Sequence, residues 1–101
     1  MVDKIAVSGN VEYIQYLILK EQKYYILAKS AEKANTLKIR VKGKDFTLMR
    51  DMRDGYLPIV KIGDEIDVAG VPNSHGWIEI TSLKNNTIET EWKSGRTNDD
   101  L

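Results

Sequence analysis

Lys61-Ile62-Gly63-Asp64-Glu65-Ile66-Asp67-Val68-Ala69-Gly70-Val71-Pro72-Asn73-Ser74-His75-Gly76-Trp77-Ile78-Glu79-Ile80-Thr81-Ser82-Leu83 reads as two strands and the hairpin that joins them. Gly63-Asp64 makes a tight turn. Ile66 and Val68 then alternate with Glu65 and Asp67, which is the period of a half-buried strand. Pro72–Gly76 is turn-rich and of hairpin length. The returning strand points Ile78 and Ile80 inward and Trp77, Glu79 and Thr81 outward. This half of the chain is therefore all-β.

The same period recurs upstream. Thr36–Lys42 sets Leu37, Ile39 and Val41 on one side and Lys38, Arg40 and Lys42 on the other, an apolar inner face and a basic outer one. Tyr24–Ala28 is a short aromatic and aliphatic run after the charged turn Lys20–Lys23, and reads as a strand paired with the first. At the N-terminus Ile5, Val7, Gly9, Val11 and Tyr13 occupy every second position, and Gly9 marks a bulge or bend. Beyond it the pattern slips into Tyr13-Ile14-Gln15-Tyr16-Leu17-Ile18-Leu19. A one-residue slip exchanges the two faces of a strand, so one long strand bending through a bulge accounts for both halves. A helix over Val11–Leu19 is the competing reading, and the β-branched residues and tyrosines tilt it towards strand.

Gly43–Gly63 is the least regular stretch. Phe46-Thr47-Leu48-Met49 either prolongs a strand after a Lys-Gly-Lys-Asp turn or opens a helix. Phe46, Met49, Met52 and Arg53 lie at helical spacing, with Asp45 as N-cap and Gly55 as stop. A short helix ending near Asp54 is the expectation, and Pro58 then sets an extended approach to the next strand. The chain divides into one domain over residues 1–92 and a polar, aperiodic tail over 93–101, expected to be flexible.

Composition narrows the function classes. The 101 residues include no cysteine, which removes disulfides and thiolate chemistry. No apolar run approaches the ~20 residues of a membrane-spanning helix. Without a long apolar segment near the N-terminus, the expected location is cytoplasmic. Asn85-Asn86-Thr87 matches a glycosylation pattern but reads as a turn. Formal net charge is zero, from 15 Lys+Arg and 15 Asp+Glu. Residues 1–64 nevertheless hold 12 basic against 8 acidic groups, and residues 65–101 hold 3 against 7. Segregation of this kind hints at a binding face.

Five strands, a long bent first one, and an irregular segment between the third and fourth fit a partly open Greek-key barrel. The order resembles the OB-fold nucleic-acid-binding family, of the single-strand-binding and anticodon-binding type. Val7-Ser8-Gly9-Asn10-Val11 is similar to that family's first-strand opening, and Lys61–Gly70 is similar to the start of its fourth strand. Gly76-Trp77-Ile78-Glu79-Ile80 is similar to its last strand. The resemblance spans roughly residues 5–88 and implies a five-stranded OB-type barrel with a short helix between strands 3 and 4. It also implies that the outer face of strands two and three is the ligand platform.

The expected site follows from that platform. Lys38, Arg40 and Lys42 stand two apart on one strand face, roughly 7 Å from one another, about the spacing of an extended phosphate backbone. Tyr25 on the neighbouring strand and Trp77 beside the last loop offer rings on which bases stack. Lys23, Arg50, Arg53 and His75 complete the expected nucleic-acid-binding set. Each has a plainer reading: a solvated lysine row, an edge defended against aggregation, or a Trp covering a barrel end. No Gly-rich phosphate loop, metal-ligand spacing or acid–base pair occurs, so no catalytic residue, metal or cofactor is expected. The expectation is a non-catalytic binder of single-stranded DNA or RNA with weak sequence preference. The alternative is a protein-interaction or self-assembly module using a surface around Tyr13, Tyr16 and Leu17, and an oligosaccharide binder is a third class.

Overall fold

β1, Ile5–Lys20, is sixteen residues long and meets three neighbours in turn. The computed structural model describes residues 3–20, 23–49, 57–74 and 76–93, and all statements on the fold concern these. Ile5–Asn10 pair with β5 (Glu65–Pro72), Val11–Leu17 with β3 (Thr36–Val41), and Leu17–Lys20 with β2 (Tyr24–Leu27), all antiparallel. β3 continues into β4 (Lys44–Met49), β5 pairs with β6 (Ile78–Asn85), and β7 (Thr90–Lys93) folds back on β6. One parallel contact, Phe46–Thr47 of β4 beside Ile78–Glu79 of β6, completes the circuit. The sheet thus runs β1-β3-β4-β6-β5 and returns to β1, a barrel-like closed arrangement with β2 and β7 attached outside the circuit.

Seven strands replace the five expected. The expected helix is corrected over its first part, where Phe46–Met49 lie in β4; residues 50–54 lie outside the described set. The physical reason is the turn before it. Lys42 and Gly43 both have positive φ, 50° and 75°, the conformation of a two-residue hairpin turn whose twist matches its strands. The chain therefore returns along β3, and Phe46 and Leu48 alternate into the core at 0% and 4% exposure while Met49 faces out at 44%. The helical spacing of Phe46 and Met49 was coincidental. Among the described residues the single helical element is the 3-10 turn Ala31–Lys33.

Two bulges decide which side chains enter the core. In β1 the register shifts between Val11 and Tyr13. Glu12 is the extra residue, and the inward set changes from Ile5, Val7 and Val11 to Ile14 and Tyr16. The bulge expected at Gly9 therefore lies three residues later. The Glu12 carboxylate accepts the Lys42 and Gly43 N–H groups (3.1 and 3.3 Å), tying the bulge to the β3–β4 turn. In β6 a second shift leaves Thr81 unpaired opposite Ala69 and Gly70. Strict alternation after Ile80 would turn Leu83 and Asn85 outward; the bulge brings both inward.

The core joins Val11, Leu37, Ile39, Val41, Phe46 and Leu48 to Ile66, Val68, Ile80 and Leu83, with Leu57 and Val60 contributed by the segment before β5. Tyr16 fastens that segment. Its hydroxyl donates to the Pro58 carbonyl at 2.6 Å and accepts the Val60 N–H at 3.0 Å. Burial raises the Tyr16 pKa; the Val60 hydrogen bond opposes this, and the Asp64 charge adds to it. Tyr16→Phe leaves both backbone groups without this partner and is expected to cost about 1–2 kcal/mol at neutral pH. Because the folded pKa exceeds the unfolded value near 10, the hydroxyl's contribution is complete below about pH 10 and is lost as pH rises through the folded value. The gap between wild type and Tyr16→Phe in urea midpoint should narrow above pH 10. A gap constant to pH 11 would contradict it.

Candidate nucleic-acid interface

The outer face of the sheet over β1, β3 and β4 is organised in cross-strand rows. Tyr13 of β1 stands opposite Arg40 of β3, which stands opposite Asp45 of β4. The next row is Gln15, Lys38 and Thr47, and Thr47 neighbours Glu79 of β6. These side chains share a face because the bulge at Glu12 has reversed the parity of β1: before it Tyr13 would have pointed inward. Trp77, one residue before β6, joins Tyr13, Lys38, Arg40 and Asp45 in lining an open groove of about 340 Å³. Asn73 sets the loop that delivers it, its backbone N–H donating to the Trp77 carbonyl at 3.0 Å and its side-chain oxygen accepting the Trp77 N–H at 3.4 Å.

The charges of the groove are already partnered. Arg40 Nε lies 2.7 Å from Asp45 Oδ1 and its Nη2 lies 3.4 Å from Oδ2, a forked contact. The Asp45 hydrogen bond and charge raise the Arg40 pKa, so the guanidinium stays protonated. The same guanidinium sits 5.7 Å from the Tyr13 ring centroid, and Lys38 Nζ sits 5.1 Å from the Tyr25 ring. Both cations thus rest on aromatic faces. Asp45 and Glu79 balance Lys38 and Arg40 on this face, so the strongly basic row read from β3 alone becomes a mixed surface. A second open depression, beside Lys84, Glu89 and Glu91, has an acidic balance.

The expected site residues separate into three groups. Lys38, Arg40 and Trp77 meet in the groove, and Tyr25 lies beside it, its hydroxyl 3.5 Å from Met49 Sδ and its ring under Lys38. Lys42 leaves the row: it occupies the β3–β4 turn, and its side chain lies over Gly9, where a Cβ would come within 3.1 Å of Lys42 Cε. Lys23 is exposed in the turn before β2, its N–H donating to the Lys20 carbonyl. Arg50, Arg53 and His75 lie outside the described residues.

The groove also contains residues that the sequence reading did not place there: Gln15, Asp45, Thr47 and Tyr13. Asp45 had a local signal. Once Lys42-Gly43 is taken as a two-residue hairpin turn, positions 40 and 45 face each other by counting outward. The interaction-module alternative expects Tyr13 on an apolar surface with Tyr16 and Leu17. Tyr16 instead turns inward and reaches Pro58, whereas Leu17 keeps the parity of Tyr13 and Gln15 and is buried where β1 pairs with β2 and β3. Among the described residues no three His, Cys, Asp or Glu side chains gather as a metal site, and no helix is long and apolar enough to cross a membrane. No protein-family model, curated protein or solved structure matches the chain.

Proposed function

We propose that the circuit β1-β3-β4-β6-β5 is an OB-type five-stranded barrel and that the chain binds single-stranded nucleic acid in the groove over β1, β3 and β4. The barrel reading is supported by the single parallel contact between β4 and β6 in an otherwise antiparallel circuit, and by the bulged β1 shared between β3 and β5. The functional reading rests on one observation: Tyr13 and Trp77 line the same groove as Lys38 and Arg40. Rings of this kind stack on bases of any sequence, while the cations meet the backbone. The reading is non-catalytic, needs no cofactor, and includes a cytoplasmic setting.

Because Arg40 is paired with Asp45, stacking carries more of the expected affinity than phosphate contacts do. Fluorescence anisotropy with a labelled thymidine nonamer at low salt is expected to give micromolar binding. Its log–log salt slope should be shallow, about −1, from one or two phosphate contacts at about −0.7 each. Trp77→Ala should weaken binding roughly tenfold or more, from about 1–3 kcal/mol of stacking. Lys38→Ala should weaken it less and flatten the slope. Absence of binding at tens of micromolar protein in low salt would sink the proposal.

A protein-interaction reading is favoured by a different observation. Among the described residues β2 pairs only with β1, and Tyr24, Ile26 and Leu27 are 49%, 39% and 67% exposed. Exposed apolar edge strands recruit further strands. A molar mass that rises with concentration in light scattering, and returns to monomer in Leu27→Glu, would support that alternative.

A further inference from the structure

We infer that Asp45 is a base-reading gate: guanine, presenting two adjacent N–H donors, takes the carboxylate fork that Arg40 holds in the free protein and releases Arg40 to a backbone phosphate. The inference rests on the groove binding single-stranded nucleic acid and assigns that groove a base preference.

The geometry behind it is specific. Among the described residues, Asp45 is the one carboxylate lining the groove beside Tyr13 and Trp77. A carboxylate there repels phosphate and can only accept hydrogen bonds when ionised. Its ligand-side partner must therefore be a donor edge. In a single strand the Watson–Crick edges are free to be read. Guanine offers N1–H and the 2-amino group side by side, matching the two oxygens of a carboxylate as an arginine fork does. Cytosine and adenine offer an amino group alone, and thymine one imino N–H.

The exchange is feasible because the present partner is replaceable. The Arg40 and Asp45 side chains are 47% and 60% exposed, and ion pairs so open to water contribute little net stability. Arg40 also has a second support, the Tyr13 ring at 5.7 Å, which keeps its stem over the groove once the carboxylate is taken. A base without the paired donors leaves Arg40 on Asp45, so the phosphate gains no contact from it. Guanine is thus favoured twice, through its own fork and through the cation it frees.

The test uses thymidine nonamers carrying a single central guanosine, inosine or adenosine, with the all-thymidine nonamer as reference. Inosine keeps N1–H and lacks the 2-amino group. Wild type should bind the guanosine probe about tenfold more tightly than the adenosine probe, a typical discrimination for a forked base contact, with inosine intermediate. The guanosine probe should also show a log–log salt slope steeper by about 0.7, for one additional phosphate contact.

Asp45→Ala should bring the probes to one affinity, no weaker than the wild-type affinity for adenosine, with the steeper slope for all of them because Arg40 is free throughout. Asp45→Asn supplies a second variant of the same shape, and should likewise lose the guanosine preference. Equal wild-type binding of guanosine and adenosine probes, or a guanosine preference that survives in both variants, would overturn the gate while leaving nucleic-acid binding intact. Failure of wild type to bind any probe, the all-thymidine nonamer included, would overturn the underlying function instead.

Discussion

Gly70→Ala is expected to lower the thermal unfolding midpoint by roughly 12–24 °C, the equivalent of about 3 kcal/mol in a domain of this size. Gly70 is buried in β5 at the second bulge, where the ladder to β6 shifts register between Ala69 and Gly70. A Cβ built there would clash with the Glu79 carbonyl oxygen and lie 2.7 Å from Ile78 Cγ2 and 3.0 Å from the Glu79 carbonyl carbon. Two of these three atoms are backbone, so no rotamer change relieves the contact; β6 must move. That movement reaches the groove, because Ile78 and Glu79 are the β6 residues that meet β4. If the groove binds single strands as proposed, the variant should therefore lose oligonucleotide affinity as well as stability, although Gly70 does not line the groove. Circular dichroism melts of the two proteins decide the matter. A midpoint within a few degrees of wild type would mean that β5 and β6 do not approach this closely at the bulge.

Asn85→Asp is expected to be destabilised by about 3 kcal/mol at neutral pH and to regain stability in acid. Asn85 is fully buried, and its amide is used at both ends. Nδ2 donates to the Ile59 carbonyl at 3.1 Å and to Asp64 Oδ2 at 2.8 Å; Oδ1 accepts the N–H groups of Thr87 at 3.0 Å and Ile88 at 3.3 Å. Asp64 in turn accepts the Lys61 N–H at 2.9 Å, and the Val11 N–H donates to its carbonyl at 2.9 Å. One side chain thus joins the segment before β5, the turn into β5 and the turn after β6. In Asn85→Asp two donors disappear and a second carboxylate faces Asp64. Like charges at that distance raise a carboxyl pKa in the folded state. The folded variant then holds a proton that the unfolded chain, titrating near pH 4, has released. The electrostatic penalty is consequently absent below about pH 4 and grows as pH rises through the raised folded value. Urea midpoints at pH 7 and pH 5, each referred to wild type, test this. A difference equal at the two pH values would leave only lost hydrogen bonds and remove the electrostatic part. Asn85→Ala, without the second carboxylate, should show that pH-independent loss.

The sequence signals were strongest where alternation is local. Leu37, Ile39 and Val41 are all at or below 1% exposure, and Ile66, Val68 and Ile80 at or below 2%, as their alternation with charged neighbours requires. The long bent first strand was also legible, because its apolar pattern changes phase. What could not be read was where the phase changes. Gly9 is the expected place for a bulge or bend, but the extra residue is Glu12, whose carboxylate is held by N–H groups thirty and more positions away. Phe46–Met49 carried a helical and a strand signal at once, and the Lys42-Gly43 turn decided between them. β7 was missed because four residues rich in charge, Thr90–Lys93, show little periodicity of their own and exist as a strand by pairing with β6.

The candidate site divides in the same way. By itself the sequence determined that Lys38 and Arg40 share the outer face of one strand, since residues two apart on a strand must do so. It also set the alternating apolar positions from which the inner surface is built. Only the tertiary structure decided that Arg40 spends its charge on Asp45, that Tyr13 rather than Tyr16 faces the groove, that Lys42 turns away over Gly9, and that Trp77 arrives from a loop far along the chain. The reason is physical. Alternation is a property of neighbouring residues, whereas register, bulge position and charge pairing depend on which strands meet, and those meetings join residues separated by long stretches of chain.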